Sequence, residues 1–134
     1  MRETPPFNLE VILRGEGNKF GHVKFRQDVD PEKIILLGTW VRDLEPNHNY
    51  LLQRAVDAIT VVDGNCTSTS WLTLGKGLTP QSILTDGNGR GNEELWRSVS
   101  MLALGSAFDI HFRLVDATDM LVVLDSDCYK YEVR

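Results

Sequence analysis

Phe108-Asp109-Ile110-His111-Phe112-Arg113-Leu114 is the clearest alternation of apolar and polar residues in this chain. Period two marks a half-buried strand, because successive side chains leave a pleated backbone on opposite faces. Phe108, Ile110, Phe112 and Leu114 are expected to face a core, and Asp109, His111 and Arg113 to face solvent. Downstream, Asp116-Ala117-Thr118-Asp119 is turn chemistry, Leu121 to Leu124 begins a return strand, and Cys128-Tyr129-Lys130-Tyr131-Glu132-Val133 closes the fold. Upstream, Glu93 to Leu104 has two phases. Leu95, Val99 and Leu102 fit a helical stripe, whereas Leu95, Arg97 and Val99 fit a strand. The β-rich surroundings favour the strand.

The first half repeats the pattern. Thr4-Pro5-Pro6 stiffens an N-terminal tail over residues 1–8, and residues 9–134 read as one domain. Leu9 to Arg14 is a first strand, and Gly15-Glu16-Gly17-Asn18 is a turn. Gly21-His22-Val23-Lys24-Phe25-Arg26 alternates cleanly, with Val23 and Phe25 on one face. After Asp28-Val29-Asp30-Pro31, Lys33 to Leu44 forms a third strand, and Tyr50 to Val56 a fourth. Asp57 to Pro80 is a long segment of weak pattern, and Asp86-Gly87-Asn88-Gly89-Arg90-Gly91 is the strongest turn signal. Seven or eight short strands with regular turns make an all-β antiparallel sandwich or flattened barrel, of immunoglobulin-like architecture.

The 134 residues suffice for a real core, and 42% hydrophobic with 25% charged residues is ordinary globular composition. A net charge of -5 argues against nucleic acid, which requires clustered Lys and Arg. No apolar run approaches the roughly 20 residues of a membrane span. Met1-Arg2-Glu3-Thr4-Pro5-Pro6 lacks the apolar stretch of a signal peptide, so the chain is either cytosolic or a mature form whose signal was removed. On their own, Cys66 and Cys128 admit two readings, buried free thiols or a disulfide; both sit beside polar, turn-like residues.

Few residues suggest chemistry. His22, His48 and His111 are scattered, and none has a short-range partner histidine. No G-x-S-x-G elbow is present. Asp86 to Gly91 begins like an EF-hand loop, but Arg90 and Arg97 occupy positions 5 and 12, which favours a hairpin turn. Asp28, Asp30 and Glu32 read as a solvated turn rather than a calcium site. Asn65-Cys66-Thr67 matches the N-glycosylation pattern by chance. The segment around Trp71, Leu72, Leu74 and Lys76 is either a flap on the core or, if exposed, a binding loop for a partner or ligand. Trp40 and Trp96 raise the same question.

The order of landmarks resembles the copper/zinc superoxide dismutase family. Leu13-Arg14-Gly15-Glu16-Gly17 ends a first strand, and Gly21 to Gln27 is similar to that family's second. Gly38 and Leu44 precede Tyr50, where the family keeps an aromatic. Asp63-Gly64-Asn65-Cys66-Thr67-Ser68 resembles its disulfide loop, and Thr85-Asp86 through Gly91 a later hairpin. The resemblance implies a Greek-key sandwich and a Cys66–Cys128 disulfide, hence an oxidising compartment, extracellular or periplasmic. It does not carry the activity. The family's His-x-His pair falls on Leu51 and Gln53, its zinc histidines within Trp71 to Ile83, its late copper histidine near Leu124, and its anion-attracting arginine on Asp125. Copper or zinc needs three or four N or S donors at about 2 Å. The expectation is therefore a non-enzymatic, metal-free domain without cofactor, serving structure or binding toward an unknown protein or small ligand. Two alternatives are a metalloprotein or oxidoreductase rebuilt from the three histidines, and a small-ligand or carbohydrate binder using residues 57–80.

Overall fold

The computed structural model describes residues 7–28, 32–57, 64–99, 102 and 105–133. In chain order its strands are β1 (Phe7–Arg14), β2 (Phe20–Gln27), β3 (Ile34–Arg42), β4 (Asn49–Val56), β5 (Leu72–Thr73), β6 (Gly75–Lys76), β7 (Thr79–Pro80), β8 (Ile83–Leu84), β9 (Gly91–Ser98), β10 (Ala107–Asp116), β11 (Val122–Ser126) and β12 (Tyr129–Glu132). No helix occurs among the described residues. The strands form one nearly closed, barrel-like sheet ordered β5-β4-β10-β11-β1-β2-β3-β9-β6-β7. In addition, β12 pairs with β10 and β8 with β4.

The alternating sequences form these strands because each can bury one face. Val11 and Leu13 of β1, Val23 and Phe25 of β2, and Ile35, Leu37 and Val41 of β3 all enter one core. They meet Tyr50 and Leu52 of β4, Leu95 of β9, and Phe108, Ile110, Phe112 and Leu114 of β10. Each large apolar side chain so buried contributes about 1.5–3 kcal/mol relative to exposure. Glu93 to Ser98 is strand, so the period-two phase of that segment wins over the helical one. The β3–β9 ladder explains why: Leu37 lies opposite Leu95, and Ile35 opposite Arg97.

β10 organises the sheet. One of its edges carries β4 from Ile110 to Asp116. Its other edge is shared, with β12 along Ala107–Ile110 and β11 along Arg113–Val115. β11 then meets the end of β1, where Leu13 lies opposite Ser126 and Arg14 opposite Asp125.

Two expectations are corrected. The N-terminal tail is shorter than residues 1–8, because β1 starts at Phe7. The Phe7 ring stacks on Tyr131 at 5.1 Å and meets Phe25 edge-on at 5.9 Å, which draws Phe7 and Asn8 into the sheet. Asp109 was expected in solvent but is only 1% exposed. Its carboxylate accepts the Gly64 N–H at 3.1 Å, and its carbonyl accepts the Asp57 N–H at 2.9 Å. A polar residue on the outer face of β10 is thus covered by a loop that supplies hydrogen bonds, as a buried carboxylate requires.

Candidate binding cavity

The β4 residues in phase with Tyr50 and Leu52 are Arg54 and Val56, and the β9 residue in phase with Leu95 is Arg97. Strand periodicity therefore turns two arginines toward the interior. Both line a cavity of about 180 Å³ that is partly open to solvent. Its wall is otherwise almost wholly apolar, built from Phe25, Ile35, Leu37, Leu74, Phe108, Ile110 and Tyr131 among others.

The cavity lies where the barrel is incompletely zipped. No ladder joins β4 to β9 among the described residues; β8 pairs with the start of β4 and packs beside β9 at one end only. Further along, the chain itself crosses the gap. β5 pairs with Gln53 and Arg54, β6 pairs with Trp96, and Leu74 between them is buried. The Leu74 N–H donates to the Leu52 carbonyl at 2.8 Å, and the Gly77 N–H to the Trp96 carbonyl at 3.0 Å. Gly75 permits the crossing, because a Cβ there would lie 1.9 Å from the Thr79 carbonyl oxygen.

The polar groups of the cavity differ in how they are satisfied. The Asp57 carboxylate accepts the N–H groups of Thr67 and Ser68 at 3.1 and 2.9 Å. The Ser98 hydroxyl donates to the Glu32 carbonyl at 2.7 Å. Neither Arg54 nor Arg97 has a carboxylate within ion-pair distance among the described residues. Burial pushes the Arg54 guanidinium below its ordinary value, and the positive charge of Arg97 pushes it further the same way.

The disulfide loop lies over the outer face of β4 and β10. Cys66 and Cys128 are bonded, with Cα atoms 5.6 Å apart, so the loop is fastened to the chain just before β12. Trp71 is half-buried there. Its ring lies 4.5 Å from the His111 ring and 4.2 Å from the Arg113 guanidinium carbon. The Arg113 Nε donates to Gln53 Oε1 at 2.8 Å, and the Gln53 amide donates to the Thr73 hydroxyl at 3.0 Å. His111 Nε2 is 3.1 Å from the Ser68 carbonyl oxygen. Among the four residues of the expected loop site, Leu74 is core, Leu72 and Trp71 are half-buried and Lys76 is exposed, paired with Glu93 at 3.0 Å. Their most inward member, Leu74, lines the cavity, while Trp71 turns to the other side of β4.

The three histidines each have their own surroundings. His22 pairs with Glu10 and lies tilted against Trp40, with ring centroids 4.2 Å apart; His48 pairs with Asp116 at 2.8 Å; His111 contacts Trp71. No group of three or more His, Cys, Asp or Glu is placed to hold a metal among the described residues. Asp30 lies outside those residues; Asp28 accepts a hydrogen bond from Arg26 Nε at 2.8 Å. Asp86 forms a turn, its carboxylate accepting the N–H groups of Asn88 and Arg90 at 2.8 and 3.1 Å.

Sequence reasoning passed over Arg54 and Arg97. The available signal was phase: Arg54 alternates with Tyr50, Leu52 and Val56, and Arg97 follows Leu95 by two residues. No family model, curated protein or solved structure matches this chain.

Proposed function

We propose that this chain is a non-enzymatic, metal-free binding domain on a copper/zinc superoxide dismutase-like Greek-key sandwich, and that the cavity between β4 and β9 holds its ligand, a small apolar molecule. The observation that carries this reading is the cavity itself. Interiors normally pack without voids larger than water, whereas here an apolar space of about 180 Å³, partly open to solvent, is lined by residues of both β4 and β9. Preformed, apolar, partly open cavities with a few polar groups are the usual form of small-molecule sites.

The strand order supports the Greek-key part. β3 neighbours β9 and β4 neighbours β10, so two long connections cross between the halves of the sheet. Gln53, at one of the family's metal-ligand positions, is engaged with Arg113 and Thr73, and Leu124, at another, is a core residue. These side chains offer a copper or zinc ion no suitable donor set. The disulfide fits an oxidising compartment, which supports an extracellular or periplasmic location.

Titration with the neutral dye N-phenyl-1-naphthylamine tests the ligand site. Saturable fluorescence enhancement is expected, and it should fall strongly in Val56→Trp, which puts a larger side chain into the cavity wall. No enhancement in the wild type overturns the reading. Stoichiometric copper in protein purified without chelator, together with superoxide dismutation, overturns its metal-free, non-enzymatic part.

A further inference from the structure

The pairing of an apolar cavity with two inward arginines says more about the ligand. We infer that the cavity takes an amphipathic anion, a short-chain to medium-chain aliphatic carboxylate, with its chain among Phe25, Leu37, Phe108 and Ile110 and its head group on Arg54 and Arg97. This inference rests on the reading of the cavity as a ligand site.

Three features of the molecule carry it. First, two like charges line one largely apolar cavity, and neither has a carboxylate within ion-pair distance among the described residues; the Asp57 carboxylate of the same lining accepts the Thr67 and Ser68 amides instead. Both guanidiniums are half-buried, and desolvating a cation without a partner costs free energy that an anionic ligand would reduce. Second, the other polar residues of the lining, Asp57, Ser98 and Tyr131, already have partners in the protein, which leaves the guanidiniums as the available donors. Third, the chain as a whole carries a net charge of -5, so an inward cationic pair is a local reversal of the protein's own field. Arginine presents a planar fork of donors that matches a carboxylate in a bidentate way. A fully apolar ligand would leave this fork unpaired, and a head group without a tail would leave the apolar wall unused.

The test compares decanoate with decanol by displacement of N-phenyl-1-naphthylamine from the full chain, with hexanoate and octanoate setting the length preference and acetate testing the head group alone. Decanoate is expected to compete about tenfold better than decanol, as charge-assisted hydrogen bonds to a carboxylate require, and acetate is expected not to compete. In a double variant, Arg54→Met with Arg97→Met, decanoate should fall to the level of decanol while the dye still binds. Equal competition by decanoate and decanol in the wild type overturns the carboxylate inference and leaves the apolar site standing. Failure of the dye, decanol and decanoate all to bind overturns both, and assigns the cavity to the packing of the chain itself. The wild-type comparison decides the matter even if the double variant does not fold.

Discussion

The Tyr131 hydroxyl donates a hydrogen bond to Gln27 Oε1 at 2.5 Å, and both side chains are fully buried. Tyr131 stands at the centre of the aromatic cluster, stacked on Phe108 at 5.3 Å and edge-on to Phe25 at 4.9 Å. Its polar end therefore needs a partner inside the protein, and Gln27, at the end of β2, supplies one. Tyr131→Phe keeps the ring and removes the donor. It is expected to destabilise the fold by about 1–2 kcal/mol, the cost of leaving a buried acceptor short of a donor. Urea unfolding at neutral pH measures this as a lower midpoint with an unchanged slope.

The disulfide encloses a sequence separation of 62 residues. On the chain-entropy account, a loop of that length contributes about 4 kcal/mol by restricting the unfolded chain. Cys66→Ala with Cys128→Ala is expected to lose most of this. Hydrogen exchange should also quicken at the Gly64, Thr67 and Ser68 amides, whose acceptors are the carboxylates of Asp109 and Asp57. Thermal unfolding and exchange measured on the same variant check both effects.

Two glycines separate backbone strain from crowding. Gly17 has φ +62° with open space where a Cβ would sit, and Gly89 has φ +75° with the Leu44 carbonyl oxygen 2.1 Å from that point. The Leu44 N–H also donates to the Gly89 carbonyl at 3.1 Å, so the backbones cannot part without loss of that bond. Gly17→Ala is expected to cost about 1–2 kcal/mol, the left-handed penalty alone. Gly89→Ala is expected to cost about 3 kcal/mol or more, because a steric clash adds to it. Equal costs, measured by denaturant unfolding, would refute the crowding argument.

His48 and Asp116 form a pH-dependent contact. The Asp116 carboxylate, hydrogen-bonded to His48 Nε2, raises the imidazole pKa above 6.5, and the same hydrogen bond lowers Asp116 below 3.8. A raised histidine contributes stability that is fully present below its unfolded pKa and is lost as pH rises through its folded value. A lowered aspartate contributes stability that is present above its unfolded pKa and is lost as pH falls through its folded value. The stability difference between wild type and His48→Gln should therefore be largest between about pH 4 and 6.5 and fade on both sides. Melting temperatures of the two proteins across that range provide the check.

Much of the fold was legible in local pattern. Phe108 to Leu114 and Gly21 to Arg26 each declare a strand, because one apolar face must be buried, whereas Leu95 to Ser98 has two phases and reads as strand only from its β-rich surroundings. The Asp86 turn was legible for the same kind of reason: its carboxylate bonds to amides two and four residues on. Asp109 was misread because its solvent exposure depends on a loop more than forty residues earlier in the chain, which period two cannot report. The candidate cavity was missed for a related reason. Arg97 was seen in phase with Leu95, but an inward arginine means little until Arg54 is placed opposite the same space.

The sequence by itself determined the all-β class, most of the strands, their inward residues and the principal turns, since these follow from alternation and glycine placement within a few residues. Only the tertiary structure decided that Cys66 meets Cys128, that the segment Leu72 to Lys76 crosses a seam between β4 and β9, and that two arginines share an apolar cavity. The physical reason is that burial, electrostatic neighbourhood and cavity shape arise from groups far apart in the chain, which local period cannot bring together.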